Sequence, residues 1–484
     1  MVETYSLNDL LLAVRRGSRA ESVAILNHFI ENEEPLESDW IKCAALALRI
    51  GEVNSAKQAA DLYRAVMPKT LRHLINYCGV YAEAGDLNRV LKLVEPQIKK
   101  DIKDPNLFHL AGTVAAQLGH LDRAKNYLIH ALKLAPQSGI TWFTLSSITD
   151  FKKYPELLEK LEHAFATIPA ADEKNLQQFH YSLGKAYADL GRFEDSYNAY
   201  TQGAAIMQRA SRYSVENDQA FIADLIANHS AQALAQLPQA KTGHNRAVAL
   251  LGLPRSGTTL LGQMLAKHSK VKGAAETNAI GHASMHLRNE NFSDFPGFIA
   301  QHGDAQGAID HIADVYAHVL NQQFSGNNLV VDKTIQLSRH FGIWAQAFPQ
   351  GRAVYIKRAP ADVAWSCFKS NFRSRADWSW DACDIAAYMQ HEEQLMNHWL
   401  AVMGNRILTV SYEELCHEPE RVLRDVCAHI GLAYEPHMLH FYKDNGPVFT
   451  SSVGQVHEPI HQKRIGLAAN YPEFLAAYDQ CRIS

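Results

Sequence analysis

Residues 250–260 read LLGLPRSGTTL, a glycine-rich loop between an apolar run and a helix-like segment. Gly252 and Gly257 keep the spacing of an ATP-binding loop, but Thr258 stands where such a loop carries its lysine. A strand, a glycine loop and a helix in this order present backbone N–H groups and a helix N-terminus to an anion. Because that lysine normally reaches the β- and γ-phosphates of a nucleoside triphosphate, the loop predicts a phosphate-bearing ligand of another kind.

The sequence around this loop has the pattern of an α/β domain. Helix-like segments separate four short apolar runs, which are AVALLGL (247–253), NLVVD (328–332), AVYIKR (353–358) and ILTVSY (407–412). Such runs are typical of buried parallel strands, and ligand loops lie at the carboxyl ends of such strands. We predict a three-layer α/β domain of the P-loop type with a central parallel sheet over residues 245–484.

The first half of the chain carries a repeat. Its glycines at 17, 51, 85 and 119 recur every 34 residues, which is the period of helical hairpin repeats. The segment 105–136 closely resembles a tetratricopeptide (TPR) unit, with matching positions at Phe108, Gly112, Ala124, Ala131 and Pro136. We predict a TPR-like α-solenoid of roughly five or six hairpins over residues 1–210, then a helical linker over 211–244. The solenoid would serve as a scaffold packed against the other domain or as a concave surface that binds a protein partner.

Composition restricts the classes of function. The 484 residues are 47% hydrophobic and 20% charged, with a formal net charge of −4, which gives no overall basic field for nucleic acid or an anionic membrane. The seven cysteines are scattered without a CxxC pair, which favours a reducing compartment. The N-terminal apolar run is too short for a signal peptide or a membrane span. We therefore expect a cytoplasmic protein.

Two motifs carry a resemblance to a known family. GLPRSGTT (252–259) resembles the 5′-phosphosulfate loop of sulfotransferases that use 3′-phosphoadenosine-5′-phosphosulfate (PAPS), and VYIKRAPADVAWSCFKSNF (354–372) resembles their 3′-phosphate element. The resemblance covers roughly residues 245–484. It implies PAPS as sulfuryl donor, adenosine 3′,5′-bisphosphate (PAP) as product, and no metal. The cofactor-binding residues that it implies in these two motifs are Pro254, Arg255, Ser256, Gly257, Thr258, Thr259, Arg358 and Ser366.

Further matches resemble the tyrosylprotein sulfotransferase branch. By this resemblance, Glu276 in VKGAAETNA (271–279) would be the general base. Lys333 in LVVDKT (329–334) would contact the oxygen that links the sulfuryl group to the 5′-phosphate. Tyr412 in RILTVSYEELCHEP (406–419) would contact the cofactor, and Ser452 in TSSVGQVHEPI (450–460) would belong to the late serine loop of that branch. The catalytic residues that the resemblance implies are Glu276, Lys333, Arg255 and Ser452. Where the family has a basic residue, in line with Leu467, this chain has none, so that Lys463 or Arg464 would substitute.

The resemblance implies transfer of a sulfuryl group from PAPS to an acceptor hydroxyl, with tyrosine of a peptide or protein as the first candidate. Carbohydrate, lipid and small-molecule hydroxyls remain alternatives, because a fold does not settle a substrate. His282 is the alternative to Glu276 as base. Two other classes stay open. One is a P-loop kinase or NTPase in which Asp332 would hold Mg²⁺, and the other is a non-catalytic TPR binding protein.

Overall fold

A computed structural model describes residues 5–100, 102–241, 246–287, 293–301, 303–372, 376–443 and 458–483. All statements below concern these residues. Ser452 of the predicted catalytic set lies outside them.

The N-terminal part consists of helix pairs, which we number hairpins 1 to 6. Their helices are α1 (Leu7–Arg16) and α2 (Arg19–Glu31), α3 (Trp40–Arg49) and α4 (Val53–Val66), α5 (Leu71–Glu83) and α6 (Leu87–Ile98), α7 (Pro105–Gln117) and α8 (Leu121–Leu134), α9 (Gly139–Ser147) and α10 (Pro155–Phe165), α11 (Glu173–Asp189) and α12 (Phe193–Gln208).

The glycines that recur every 34 residues lie in the turns between the two helices of their hairpins. Gly17, Gly51, Gly85 and Gly119 have φ between +76° and +85°, a left-handed conformation that favours glycine, and each follows the first helix of its hairpin. Within hairpin 4, a Cβ on Gly112 would lie 2.6 Å from Cγ of Leu128, so this position needs a residue without a side chain. The prediction of a helical region with tetratricopeptide character is confirmed.

Two further helices, α13 (Val215–Asn228) and α14 (Ala231–Gln236), lead into the second domain. Asp218 of α13 accepts a hydrogen bond from Arg339 at 2.6 Å and lies 2.8 Å from the His391 ring nitrogen Nδ1. The side chains of Asp218 and Arg339 are 8% and 11% exposed. This buried ion pair attaches α13 to the second domain.

The second domain is built on a five-stranded parallel sheet. The strands are β1 (Ala247–Leu251), β2 (Val271–Ala275), β3 (Leu329–Asp332), β4 (Arg352–Lys357) and β5 (Ile407–Ser411), in the order β2-β3-β1-β4-β5. The helices are α15 (Thr258–Leu265), α16 (Ala279–Ala283), α17 (Phe295–Gln301), α18 (Ala305–Gln323), α19 (Phe341–Ala347), α20 (Pro360–Phe368), α21 (Ala382–Met403), α22 (Tyr412–His417), α23 (Pro419–His429) and α24 (Pro472–Ile483).

The central strand β1 is buried on both faces. Ala249 and Leu251 belong to one hydrophobic cluster, which includes residues of α18 and α21, whereas Val248 and Leu250 belong to another, which includes residues of α15 and α23. Helices therefore cover both sides of the sheet, and the predicted fold class is confirmed. The sequence predicts strands at β1, β3, β4 and β5, but it predicts no strand over Val271–Ala275, the edge strand β2.

The helical repeats pack on the sheet domain at two separate places. In hairpin 6 the Tyr181 hydroxyl donates to the Phe368 carbonyl at 3.5 Å, and the Ser196 hydroxyl lies 3.4 Å from that of Tyr471. In hairpin 2 the Asn54 backbone N–H donates to Oε1 of Gln322 at 2.8 Å. Both ends of the helical region therefore contact the domain that carries the glycine-rich loop.

The structure joins Cys383 and Cys481 as a disulfide, a pair 98 residues apart that the sequence analysis did not predict. The other five cysteines are free and buried. Across the described ranges, every helix falls short of the length or the hydropathy that crossing a bilayer requires.

Candidate active site

The glycine-rich loop connects β1 to α15 and turns through left-handed backbone at three positions. Gly252 has φ +156°, Arg255 +71° and Gly257 +109°. A Cβ on Gly257 would lie 2.5 Å from Cδ2 of Tyr412, so the loop passes directly against the face of that ring. The glycine is therefore required by backbone conformation and by close approach together. Thr258, at the position of the missing lysine, begins α15.

Two of the predicted cofactor-binding residues in the loop, Ser256 and Pro254, contact neighbouring protein atoms. The Ser256 hydroxyl donates to the Leu253 carbonyl at 2.7 Å and closes the turn. The Pro254 carbonyl lies 3.5 Å from the Sγ atom of Cys367, on α20. Ser256 thus shapes the loop through its side chain.

The two distant motifs meet in space. Arg255 donates from Nε to the Ser366 hydroxyl at 2.9 Å, and Arg358 donates from Nη1 to the Arg255 carbonyl at 3.1 Å. They meet because β4, which precedes Arg358, is hydrogen-bonded to β1, which precedes the loop. The Arg358 guanidinium carbon lies 4.6 Å from the centre of the Tyr412 ring, a cation–π distance. The structure thus brings together predicted residues that are more than 100 positions apart.

One cleft contains most of these side chains, and we call it the arginine cleft. Its walls include Arg255, Gly257, Thr258, Thr259, Arg358, Tyr412 and Arg464. The side chain of Arg358 is 8% exposed, and its Nε atom is buried without a hydrogen-bond partner among the described residues. A buried unpartnered N–H is costly, so it marks a place for an acceptor.

Arg464 brings a positive charge to the arginine cleft, whereas the position of the family's basic residue is occupied by Leu467. The Asp362 carboxylate, in the first turn of α20, accepts from the backbone N–H groups of Gly466 at 2.7 Å and Ala468 at 3.0 Å. The Arg464 carbonyl also accepts from Nη2 of Arg358. These bonds hold the C-terminal segment across the cleft. Of the two substitutes that the sequence offered, Arg464 lines the cleft, whereas Lys463 is exposed.

The cleft concentrates positive charge. Burial, together with the nearby Arg464 and Arg358, lowers the pKa of Arg255 to about 10. Burial, together with Arg255, Arg464, Lys185 and Arg358, lowers the pKa of the neighbouring Lys369 to about 7, and burial lowers the pKa of Arg464. Cations that lower one another's pKa in this way favour the binding of an anion. The sequence analysis missed Lys369, which is part of the quoted motif CFKSNF (367–372).

Glu276 and Lys333 form an ion pair at 2.8 Å between Oε1 and Nζ. They meet because β2 and β3 are neighbouring parallel strands, with Ala275 beside Asp332 in the register, and each residue directly follows its strand. The Lys333 side chain is 4% exposed and that of Glu276 is 36% exposed. The stem of Lys333 passes α15, since a Cβ on Gly262 would lie 3.5 Å from its Cδ. The pair thus joins the helix of the glycine-rich loop to the edge of the sheet.

Asp332, the Mg²⁺ ligand of the kinase alternative, is fully buried. Its Oδ1 accepts from the Thr334 backbone at 3.0 Å and from the Thr334 hydroxyl at 2.5 Å, and its Oδ2 accepts from the Tyr316 hydroxyl at 2.8 Å. Burial raises the pKa of this carboxyl. Its oxygens are thus engaged inside the protein, which argues against the kinase alternative. Within the described ranges, we find no cluster of three or more His, Cys, Asp or Glu side chains that would hold a metal ion.

His282, the alternative base, lies on α16 with 9% of its surface exposed. Its ring is directed at hairpin 2, because a Cβ on Gly51 would lie 2.8 Å from its Cδ2. This position favours Glu276 over His282 as the base, since Glu276 is the one in contact with Lys333.

These features define a class: an α/β domain of the P-loop type, with a cleft lined by arginines at the carboxyl ends of its strands, attached to helical repeats. Residues 247–436 match the model of the Sulfotransferase family, and residues 105–138 match the Tetratricopeptide repeat. The recognition of a sulfotransferase-type segment and a TPR segment is confirmed.

Among known proteins, an uncharacterized protein of Aquifex aeolicus (strain VF5) is 23% identical over 456 residues, which cover 92% of this chain and 54% of that protein. The chain therefore spans about half the length of this relative. Solved structures that resemble the present chain include the sulfotransferase domain from the Synechococcus PCC 7002 olefin synthase, at 20% identity and TM-score 0.36. The match covers 51% of the present chain and 98% of that domain. The sulfotransferase domain from the curacin biosynthetic pathway follows at 18% identity and TM-score 0.30, covering 49% and 98%.

Proposed function

We propose that the protein transfers a sulfuryl group from PAPS to an acceptor hydroxyl, with a tyrosine of a peptide or protein as the acceptor. The observation that carries this proposal is the arginine cleft, where Arg255, Arg358 and Arg464 converge beside the loop that lacks the lysine of ATP-binding proteins. A ligand with charged groups at both its ribose 3′ and 5′ ends matches positive charge that comes from separate segments of the chain.

PAPS supplies the sulfuryl group when it is bound. Thr258 and Thr259, at the start of α15, would contact its 5′-phosphosulfate together with the loop backbone. Arg358 and Ser366 would hold its 3′-phosphate, and Tyr412 would contact the nucleoside. The buried Nε of Arg358 supports this assignment, because it has no acceptor among the described residues and a phosphate oxygen would supply one.

The residues at the strand ends would carry out the chemistry. Sulfuryl transfer, like phosphoryl transfer, depends on positioning and on stabilising the charge that develops on the departing group. Lys333 and Arg255 would place positive charge there. Glu276 would accept the proton of a phenol, whose ordinary pKa near 10 keeps it protonated at neutral pH. The ion pair with Lys333, at 2.8 Å between Nζ and Oε1, would hold the Glu276 carboxylate in a fixed orientation.

The first experiment measures thermal stabilisation by PAP and by ADP with Mg²⁺. A PAPS-dependent sulfotransferase is stabilised by PAP far more than by ADP, whereas a P-loop kinase reverses that order. Labelled sulfate from PAPS is then offered to a peptide library with and without tyrosine. Label on tyrosine supports the proposed acceptor. Label on glycan, lipid or small molecules instead would replace it, and PAP binding without any transfer would favour a non-catalytic TPR binding protein.

Glu276→Gln separates binding from chemistry. We expect PAP stabilisation to be retained, while turnover falls by about 10² to 10⁴, the usual contribution of a general base. A glutamine variant with the turnover of the natural protein would remove Glu276 from this role.

A further inference from the structure

The segment that carries Glu276 continues directly into α16, and the turns of hairpins 1 and 2 lie against that segment. A Cβ on Gly51 would lie 2.8 Å from Cδ2 of His282, and a Cβ on Gly17 would lie 2.3 Å from the Met285 carbonyl oxygen. The repeat turns therefore contact backbone and side chain within ten residues of Glu276. A side chain at Gly17 would have to displace the Met285 backbone, and one at Gly51 would have to displace the His282 ring and the Val319 side chain.

A polar cluster fixes hairpin 2 in this position. Glu52, whose side chain is 7% exposed, accepts from Arg19 and from Nε2 of Gln322 at 3.0 Å, and it lies 3.0 Å from Nε2 of His318. His318 and Gln322 belong to α18, and α18 also carries Tyr316, the donor to Asp332. The turn of hairpin 2 is thus attached to the helix that supports the end of β3.

The opposite side of the segment is fixed by the end of β3. The Asn278 backbone N–H donates to the Thr334 hydroxyl at 2.9 Å, and that hydroxyl donates to Asp332. Glu276 itself contacts Lys333. The short stretch from Glu276 to His282 therefore lies between the end of β3 on one side and the repeat turns on the other.

We propose that the turns of hairpins 1 and 2 position Glu276, with Gly51 as the main positioning residue, so that the repeats form part of the catalytic apparatus as well as any surface for a partner. The inference rests on the proposed sulfuryl transfer. A base must lie within hydrogen-bond reach of the proton that it removes, and a misplacement of about 1 Å can cost about 10²-fold in rate.

A matched pair of variants tests this role. Gly51 and Gly191 are both turn glycines with nearly equal φ, +80° and +76°, but a Cβ on Gly191 would have no atom of the described residues within 4 Å. Both alanine variants carry the same backbone strain, but only Gly51→Ala meets close neighbours among the described residues, which are the His282 ring at 2.8 Å and Cγ2 of Val319 at 3.1 Å. We expect Gly51→Ala to lower kcat by about 10- to 100-fold with the KM for PAPS and the stabilisation by PAP retained. Gly191→Ala should keep kcat within about two-fold.

Two further variants keep the test decisive. Adding His282→Ala to Gly51→Ala removes the ring that lies nearest to the new methyl group, and should restore most of kcat. If Gly51→Ala does not fold, Gln322→Ala, which loosens the attachment to Glu52, should show the same selective fall in kcat. Equal kcat for Gly51→Ala and Gly191→Ala, or an unchanged kcat for Gln322→Ala, overturns the positioning role. A natural protein that transfers no sulfate overturns the proposed function instead.

Discussion

Replacing Arg358 with lysine tests the proposed 3′-phosphate site most directly. A guanidinium has five N–H donors, and Arg358 uses two of them on the carbonyls of Arg255 and Arg464. Its Nε stays buried without a partner among the described residues. A lysine that satisfied the same two carbonyls would have one donor left. The phosphate would therefore lose one bond of a two-bond fork, while the net charge of the cleft stays the same.

The magnitude follows from that single lost bond. A hydrogen bond to a charged group contributes about 1.5–3 kcal/mol, so the Kd for PAP should rise by about 10- to 150-fold. Calorimetric titration at fixed ionic strength measures it, with adenosine 5′-monophosphate as the comparison because it lacks the 3′-phosphate. The affinity for that nucleotide should change by less than about three-fold, since it makes no use of the lost bond.

Arg424→Lys is the matched control. Arg424 is 58% exposed on α23 and pairs with Glu420, so the same exchange there should leave the Kd for PAP unchanged. The reasoning fails if Arg358→Lys weakens both nucleotides by the same factor. It fails equally if the affinity for PAP does not change.

Three further predictions concern the cleft and its support. Burial and neighbouring arginines lower the pKa of Lys369 to about 7, and a bound anion should keep this lysine protonated, so the affinity for PAP should fall as the pH rises from 7 to 9. Calorimetry should find an affinity for PAP that does not depend on pH in Lys369→Met. The same pH dependence in both proteins would show that Lys369 takes no part in binding PAP. Tyr316→Phe removes a buried donor to Asp332 and should lower the free energy of unfolding in urea by about 1–3 kcal/mol, whereas no change would mean that the bond is dispensable. Gly257→Ala, at φ +109° against the Tyr412 ring, should abolish stabilisation by PAP in a thermal-shift assay; retained stabilisation would show that the loop can move away from the ring.

The strands that the sequence predicts are those that contain a run of aliphatic and β-branched residues, including ILTVS of β5, which is only partly buried. Ala247–Leu251 is buried at every position, and so it is recognisable. Val271–Ala275 is one of the two edge strands, buried at Val271 alone, with an irregular register between Val271 and Gly273. Since an edge strand of this kind contains lysine and glycine among small residues, no apolar run identifies it.

The sequence predicts the positions of some functional side chains but not of others. Arg358 and Ser366 follow a strand at fixed distances, so a linear motif suffices to place them beside the loop. Arg464 enters from the C-terminal segment, and its position depends on the bonds from Gly466 and Ala468 to Asp362, more than 100 residues earlier. A comparison by sequence position therefore expects the basic residue at Leu467, three residues beyond the arginine that lines the cleft.

The repeat period predicts hairpins, but it does not predict which turn meets the other domain. Gly51 and Gly191 share the same φ and the same place in their hairpins, yet one faces His282 and the other faces open space. The difference arises from tertiary packing, which a period of 34 residues does not encode. Contacts of this kind are also what distinguishes repeats that form part of an active site from repeats that bind a partner alone.

The absence of a lysine from the glycine-rich loop has a physical explanation in the arrangement of charges. A loop lysine would add one positive charge at one point, next to the helix start. In this chain the cations come from the loop at Arg255, from the end of β3 at Lys333, from the end of β4 at Arg358 and from the C-terminal segment at Arg464. Arg255, Arg358 and Arg464 converge in the arginine cleft, whereas Lys333 lies at the end of β3, on the other side of β1 from β4. Under the proposed function these cations would contact charges at two ends of one ligand, which a single lysine would not do. Thr258 leaves the start of α15 to backbone N–H groups and hydroxyls, the donors that an anion needs there.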